Sequence, residues 1–171
     1  MRVDVSIRAG AEQHWQSMRA IFIEAGRTAW SHILSSAALA ELRAPERWHP
    51  HAGADVLVAE RAGEVLGFVC LRASADDDAG PAVGEIDACY VCPPAWGTGV
   101  GQALLAAAAT RLAASGFDEA TLWTEHRNER PLRFYRAAGW RLDGRERRRI
   151  SQGCELLELR HRLNVRDADQ P

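Results

Sequence analysis

The sequence predicts a single α/β domain of the mixed α+β kind, and three observations carry that prediction. Short β-rich runs alternate with segments of helical period from one end of the chain to the other. A length of 171 residues with 47% hydrophobic content supplies one sizeable core and is too short for two comfortable ones. In the middle, a strand-like run, Glu85–Val91, passes through Pro93-Pro94 and a glycine-rich turn, Trp96–Gly101, into an alanine-rich helix closed by Gly116. The domain is expected to occupy residues 1–163, with 164–171 as a frayed tail.

The elements follow in order. Val3–Arg8 alternates apolar and polar residues, the period of a half-buried strand. Trp15, Met18, Phe22 and Ala25 then make one apolar stripe on a helix between Ala11 and about Gly26. A short second helix, capped by Ser35 or Ser36, carries Leu39 and Leu42 and stops before Pro45. The segment from Arg27 to Ala54 is irregular but gathers Trp30, His32, Trp48, His49 and His51, which either pack or line a substrate pocket. Asp55–Glu60 and Glu64–Arg72 flank Arg61-Ala62-Gly63 as a hairpin. The acidic loop Asp76–Asp78 is either a solvated connection or an attractor for a cationic substrate. Beyond the central unit, Glu119–Thr124 reads as a strand. Asn128–Ala138 reads as a helix with Asn128 at its N-cap, Pro131 in its first turn and Gly139 at its end. Trp140–Leu142 and Cys154–Leu163 supply the last strands, with a basic run, Arg145 and Arg147–Arg149, between them as a solvated face or an anion contact.

Composition excludes several classes. Net charge is −2, with all basic charge on arginine, and the pI is near 6.3, so there is no footprint for nucleic acid or an anionic membrane. The chain start lacks a charged segment followed by an apolar run, and no stretch approaches the roughly 18 apolar residues of a membrane span. A cytoplasmic location is the expectation. Of the cysteines, Cys89 and Cys92 straddle a strand end and no second pair has metal-ligand spacing, so Cys70, Cys89, Cys92 and Cys154 read as reduced, partly buried thiols and no metal is expected.

The glycine turn carries the first functional signal. Gly97, Gly99 and Gly101 remove the Cβ atoms that would hold a ligand off the backbone, and the first N–H groups of the following helix have no internal partner. At the positive end of a helix dipole, such a turn cradles phosphate without a basic side chain. A nucleoside-triphosphate loop would need Gly-Lys-Ser/Thr where Gly101-Gln102-Ala103 stands, and the chain has no lysine. The dinucleotide fingerprint wants glycine at Gln102 and an alternating βαβαβ series that does not follow. Tight strand-to-helix packing is the remaining structural alternative.

Asn128-Glu129-Arg130-Pro131-Leu132-Arg133-Phe134-Tyr135-Arg136-Ala137-Ala138-Gly139-Trp140 makes the turn specific. Together with Val91-x-Pro93 and the Gly97–Gly101 turn, it resembles the GCN5-related N-acetyltransferase superfamily over most of the chain. The resemblance implies a mixed, mostly antiparallel central sheet splayed in its middle and flanked by about four helices. Acetyl-CoA, as co-substrate, would lie in the gap between Glu85–Val91 and Glu119–Thr124. It further implies that the backbone of Cys89, Tyr90 and Val91 pairs with the pantetheine arm, that Gly97, Thr98, Gly99, Val100, Gly101 and Gln102 hold the pyrophosphate, and that Asn128 reaches the cofactor. The family usually opens this turn with Gln or Arg, and Trp96 departs from that pattern.

An alkyl amine with a pKa near 10.4 is protonated at pH 7, so transfer to it needs a base. The resemblance places a catalytic glutamate six positions before Val91, at Glu85, acting through water, with Asp87 as the substitute; period-two geometry would put Glu85, Asp87, Cys89 and Val91 on one face. The departing thiolate needs a donor, and the resemblance assigns it to Tyr135, which also contacts the cofactor, with Phe134 facing the core. Cys89 or Cys92 as an acyl carrier is the less favoured route, lacking an evident base in sequence. The implied activity is direct N-acetyl transfer to a primary amine in a ternary complex. The acceptor is a small molecule or a peptide or protein N-terminus, and Trp30, Trp48, Trp123 and Asp76–Asp78 point to a small cationic amine. A non-catalytic acyl-CoA sensor and a different acyl-CoA donor are the alternatives, and many relatives pair as homodimers.

Overall fold

The computed structural model describes residues 4–151 and 153–166. Its strands are β1 (Ser6–Ala9), β2 (Asp55–Arg61), β3 (Glu64–Ala73), β4 (Val83–Val91), β5 (Glu119–Glu125), β6 (Arg141–Ser151) and β7 (Cys154–Asn164). They form one sheet in the order β1-β2-β3-β4-β5-β7-β6. All neighbours are antiparallel except β4 and β5, which run parallel and pair only at Val83↔Glu119, Gly84↔Ala120 and Glu85↔Thr121. Past Glu85 the two strands part. The expected mixed sheet, splayed in the middle, is therefore what the chain adopts.

The helices are α1 (Trp15–Ala29), α2 (Ser36–Ala40), α3 (Val100–Ala114) and α4 (Glu129–Ala137). Each face of the sheet has its own core. Helix α3 lays Val100, Leu104, Leu105, Ala108 and Leu112 against Val69, Leu71 and Ile86. Helix α1 lays Met18, Ile21 and Phe22, with Trp48 and Leu42 from the following segment, against Val58, Phe68, Cys70 and Ala88 on the other face. Ser35 caps α2, its hydroxyl accepting from the Ala38 amide at 3.2 Å. Both faces of the inner strands are thus covered, which is why β3 reads as a near-continuous apolar run.

Several sequence expectations shift. Strand β6 was expected to stop at Leu142, but it continues through the whole basic run to Ser151. Three consecutive guanidiniums there find carboxylates on β7, Arg147 and Arg149 on Glu158 and Arg148 on Glu155, so the charge run is compatible with a long edge strand. At the C-terminus, β7 reaches Asn164 and Val165 is 1% exposed, so the expected tail boundary falls too early; residues 167–171 lie outside the described residues. The expected start of the first strand at Val3 also lies outside them. No helix among the described residues is long and apolar enough to cross a membrane.

The largest correction concerns β4. Cys70 pairs with Ala88 and Leu71 pairs with Ile86, so Asp87 has no opposite residue and the strand carries a bulge there. The extra residue reverses the side-chain alternation. Glu85 shares a face with its partner Arg72 and with Cys70, Ala88 and Tyr90, whereas Cys89 and Val91 lie on the α3 face. Glu85 and Asp87 do not share a face with Cys89 and Val91 as period two had suggested.

Candidate active site

The divergence of β4 and β5 opens a cavity of about 660 Å³ that runs between the two halves of the sheet. Its β4 wall has a defined polarity. The Cys92 amide donates to Leu66 O at 2.8 Å, which makes Gly67↔Val91 a non-hydrogen-bonded pair. The main-chain groups of Val91, and two residues earlier those of Cys89, consequently point away from β3 and into the gap. Those of Tyr90 point back at β3, leaving Tyr90 to face the cavity with its ring.

At the end of β4 the chain turns through Pro93–Ala95, a single 3-10 turn, into the glycine segment. Gly97 and Gly99 adopt φ of 76° and 96°, the left-handed region that disfavours any side chain. Gly99 is the N-cap of α3 and no side chain caps that end, while Ala103 N is the first amide to reach back, to Gly99 O at 3.0 Å. The amides of Val100, Gly101 and Gln102 are left for an external acceptor. A Cβ on Gly101 would stand 2.9 Å from Phe134 Cζ, so glycine lets α4 close against this turn. Gly97, Gly101 and Gln102 line the cavity; Thr98, Gly99 and Val100 do not, and the Val100 side chain is fully buried. An uncapped helix end beside an open strand edge fits a long phosphorylated thioester such as acetyl-CoA.

Trp96, the departure from the usual glutamine or arginine, has a defined place. Its indole N–H donates to Val91 O at 2.7 Å, and the Arg130 guanidinium from α4 lies 4.6 Å above its ring. The uncharged residue thus holds a charged one at the same turn. The side chain of Asn128, the α4 N-cap, makes no capping bond and lines the cavity instead.

Tyr135 lies at the bottom of the gap, packed against Phe134, Trp140 and His161 at centroid distances of 5.2, 6.3 and 5.7 Å. Its hydroxyl faces the Cys89 thiol closely enough for each to influence the other's ionisation. Burial, reinforced by that thiol and by Tyr90, pushes the phenol well above its ordinary value, so it stays protonated. Burial likewise pushes Cys89 up to about 12 despite the opposing influence of Tyr135, and it raises Cys92, so neither is poised as a nucleophile. Phe134 packs at the edge of the core and also lines the cavity.

The carboxylates occupy the other face of β4. Glu85 is 2% exposed, held by Arg72 Nη2 at 2.9 Å and by the Ala75 amide at 3.4 Å. Asp87 accepts from Arg47 Nε at 2.7 Å and from the Trp48 indole at 2.6 Å, with Arg72 at 3.1 Å. Burial pushes the Asp87 carboxyl up, but these donors outweigh it and hold it below the usual range, which makes it a poor base. Arg149, from the basic run read as a solvated face or an anion contact, lines the cavity; Arg47, Arg72 and Glu158 do too and were not legible as site residues, because no local spacing ties them to β4.

The acidic loop serves a different purpose from the one its sequence suggested. Arg160 on β7, with 3% of its side chain exposed, binds Asp76 at 3.0 Å, Asp78 at 2.6 Å and Asp143 at 2.8 Å. Asp77 pairs with Arg145 at 2.6 Å. None of the three loop aspartates lines the cavity, so they are not the lure for a cationic substrate. Trp30, Trp48 and Trp123 do line it.

Known structures share this fold. The fold superposes on PaiA N-acetyltransferase from Thermoplasma acidophilum in complex with coenzyme A with a TM-score of 0.72 at 16% identity, covering 95% of this chain and 99% of that one. The corresponding values for YncA from Salmonella typhimurium with its cofactor acetyl-CoA are 0.73 and 18%, covering 99% and 98%. In sequence, the mycothiol acetyltransferase of Sanguibacter keddieii is 45% identical over 86 residues, 49% of this chain and 27% of that protein. The chain thus spans about a quarter of the length of that curated relative. The acetyltransferase (GNAT) family model matches residues 15–140, which takes in α1, the open β4–β5 edge, the glycine turn and α4, and the chain belongs to that family.

Proposed function

We propose that the chain transfers an acetyl group from acetyl-CoA directly to an amine, both held at once in the β4–β5 gap. The observation that supports this reading best is the convergence of three groups at one edge. They are the gap-facing main chain of Cys89 and Val91, the uncapped amides of Val100–Gln102, and the protonated phenol of Tyr135. Bound acetyl-CoA would supply a thioester carbonyl open to attack by an amine and a thiolate as leaving group. Cys89 and Val91 hold the pantetheine arm as an added strand, with Val91 O already taken by Trp96. Gly97–Gln102 hold the pyrophosphate, and Asn128 closes the arm from the opposite side. Tyr135 donates its proton to the sulfur. Glu85, at the point where the strands part and still paired with Arg72, accepts the amine's proton through water.

Release of free thiol from acetyl-CoA is measured over a panel of small amines and N-terminal peptides, beside calorimetric binding of CoA. Amine-dependent release is expected, and Glu85→Gln should reduce it with CoA affinity retained. Tight CoA binding with no transfer to any amine would refute the reading in favour of a sensor.

A further inference from the structure

The cavity walls on the acceptor side are not equally charged. On the β4 wall, the guanidinium groups of Arg47 and Arg72 are matched by the carboxylates of Glu85 and Asp87. On the β6–β7 wall, Arg147 and Arg149 share the single carboxylate of Glu158, at 2.7 and 2.9 Å. Arg147 is also committed to the Trp123 ring, 4.2 Å beneath it. Arg149 reaches Glu158 through its Nε, and among the described residues Glu158 is the one carboxylate it pairs with. That wall therefore carries one guanidinium in excess, and it lines the cavity.

Tyr90 stands between the walls. Its ring is fixed edge-on by Phe22 at 5.1 Å and Trp30 at 6.1 Å, and it leans on Trp48 at 5.7 Å. The hydroxyl lies within electrostatic reach of Arg149, Glu158 and Asp87 and makes no hydrogen bond among the described residues, although the ring around it is packed. A phenol without a hydrogen-bond partner and a forked guanidinium that shares its carboxylate with a second arginine, at the edge of an apolar wall, form a receptor for a planar anion.

We propose that the acceptor is an amine carrying its own carboxylate, an amino-acid-like molecule whose carboxylate is bound by Arg149 and the Tyr90 hydroxyl. The inference rests on the acetyl-transfer reading above and specifies its substrate. The aromatic wall takes an apolar side chain, and the amine is turned toward the Glu85 side of β4. Loss of the loop aspartates as a cation lure is consistent with this, since the charge left over in the pocket is positive.

The test compares kcat/KM for phenylalanine with that for its primary amide, in wild type, Arg149→Gln, Arg149→Lys and Tyr90→Phe. The two amines differ in basicity, so the readout is the acid-to-amide ratio of each variant divided by that of wild type, in which intrinsic reactivity cancels. Arg149→Gln should lower that ratio by about tenfold to a hundredfold, the range for a charged hydrogen bond. Arg149→Lys should recover part of it, and Tyr90→Phe should fall between. Both ligands are also titrated calorimetrically into the protein saturated with CoA, which cannot react. A ratio unchanged in Arg149→Gln, with transfer intact, overturns the carboxylate site and leaves acetyl transfer standing. Arg149-dependent binding of the acid without any transfer supports the site and removes the acetyl-transfer reading. Neither transfer nor binding of the acid overturns both.

Discussion

Replacing Arg160 by methionine should be a damaging change although the residue lies outside the cavity. The guanidinium is 3% exposed and gathers Asp76, Asp78 and Asp143. Without it, Asp143 keeps Arg162 at 3.2 Å and Asp78 keeps Arg145 at 3.4 Å, but Asp76, whose side chain is 11% exposed, keeps only the Trp123 indole at 3.2 Å. Removing one partner of a buried ion pair costs about 3–5 kcal/mol. The two surviving arginines place Arg160→Met near the lower end, about 3 kcal/mol. A chain of 171 residues unfolds with an entropy of roughly 0.36 kcal/mol/K, so Tm should fall by about 8 °C. The sign with pH follows from the carboxylates. Burial raises Asp143, but the Arg145 amide and Arg160 outweigh it, while the Arg160 hydrogen bonds lead the lowering of Asp78, so both stay ionised below the ordinary carboxylate range. Their stabilisation is complete above about pH 4 and is lost as pH falls through the lowered folded values. Calorimetric melts at pH 7.5 and pH 3 should therefore show the gap between wild type and variant closing in acid. A drop under about 2 °C at pH 7.5, or a gap of equal size at both pH values, would refute the argument that this arginine holds the loop electrostatically.

Three other outcomes are expected. Tyr135→Phe should lower kcat by about 10²-fold while acetyl-CoA affinity changes little, and in wild type no loss of rate from Tyr135 ionisation should appear up to about pH 10; stopped thiol-release assays across pH check both. Gly101→Ala should not bring the roughly 1 kcal/mol that alanine offers a helix, because its Cβ would press on Phe134 beside Tyr135; a lower Tm together with a raised KM for acetyl-CoA is the expected pair of measurements. Trp96→Phe keeps a ring under Arg130 but removes the donor to Val91 O, and should weaken CoA about three- to tenfold by calorimetry, the range for one neutral hydrogen bond.

The open strand edge, the glycine turn and the uncapped helix end were legible because they are local. A strand, a proline bend, alternate glycines and a helix are contiguous, and backbone amides at that turn have no other use. The motif around Tyr135 was legible for the same reason. In the acceptor half, Glu85 and the tryptophans Trp30, Trp48 and Trp123 were legible but most of the charged partners were not, because they come from separate elements and meet only through pairings of long sequence separation. Asp87 lies 40 positions from Arg47 and 39 from Trp48. The acidic loop and the basic run each read as either solvated charge or a ligand contact; in the fold the loop pairs with Arg145 and Arg160, while Arg147 and Arg149 share Glu158 and leave one positive charge in surplus.

The bulge at Asp87 shows how a single unreadable residue decides the chemistry. Under strict alternation, Glu85 would have faced α3 with Cys89 and Val91, on the side closed by Leu104 and Leu105. One extra residue turns Glu85 and Asp87 to the face shared with Tyr90 and Trp48 while leaving Cys89 and Val91 in phase with the glycine turn. The same strand can then present main-chain groups to a thioester at one end and a carboxylate to an amine at the other. The bulge also delivers Asp87 to the Trp48 indole and Arg47, which hold its carboxyl low and so leave Glu85 as the β4 carboxylate free of that indole. Strand propensity carries no mark of this, since the extra residue shows only in the pairing, where Cys70 and Leu71 of β3 face Ala88 and Ile86 and leave Asp87 unopposed.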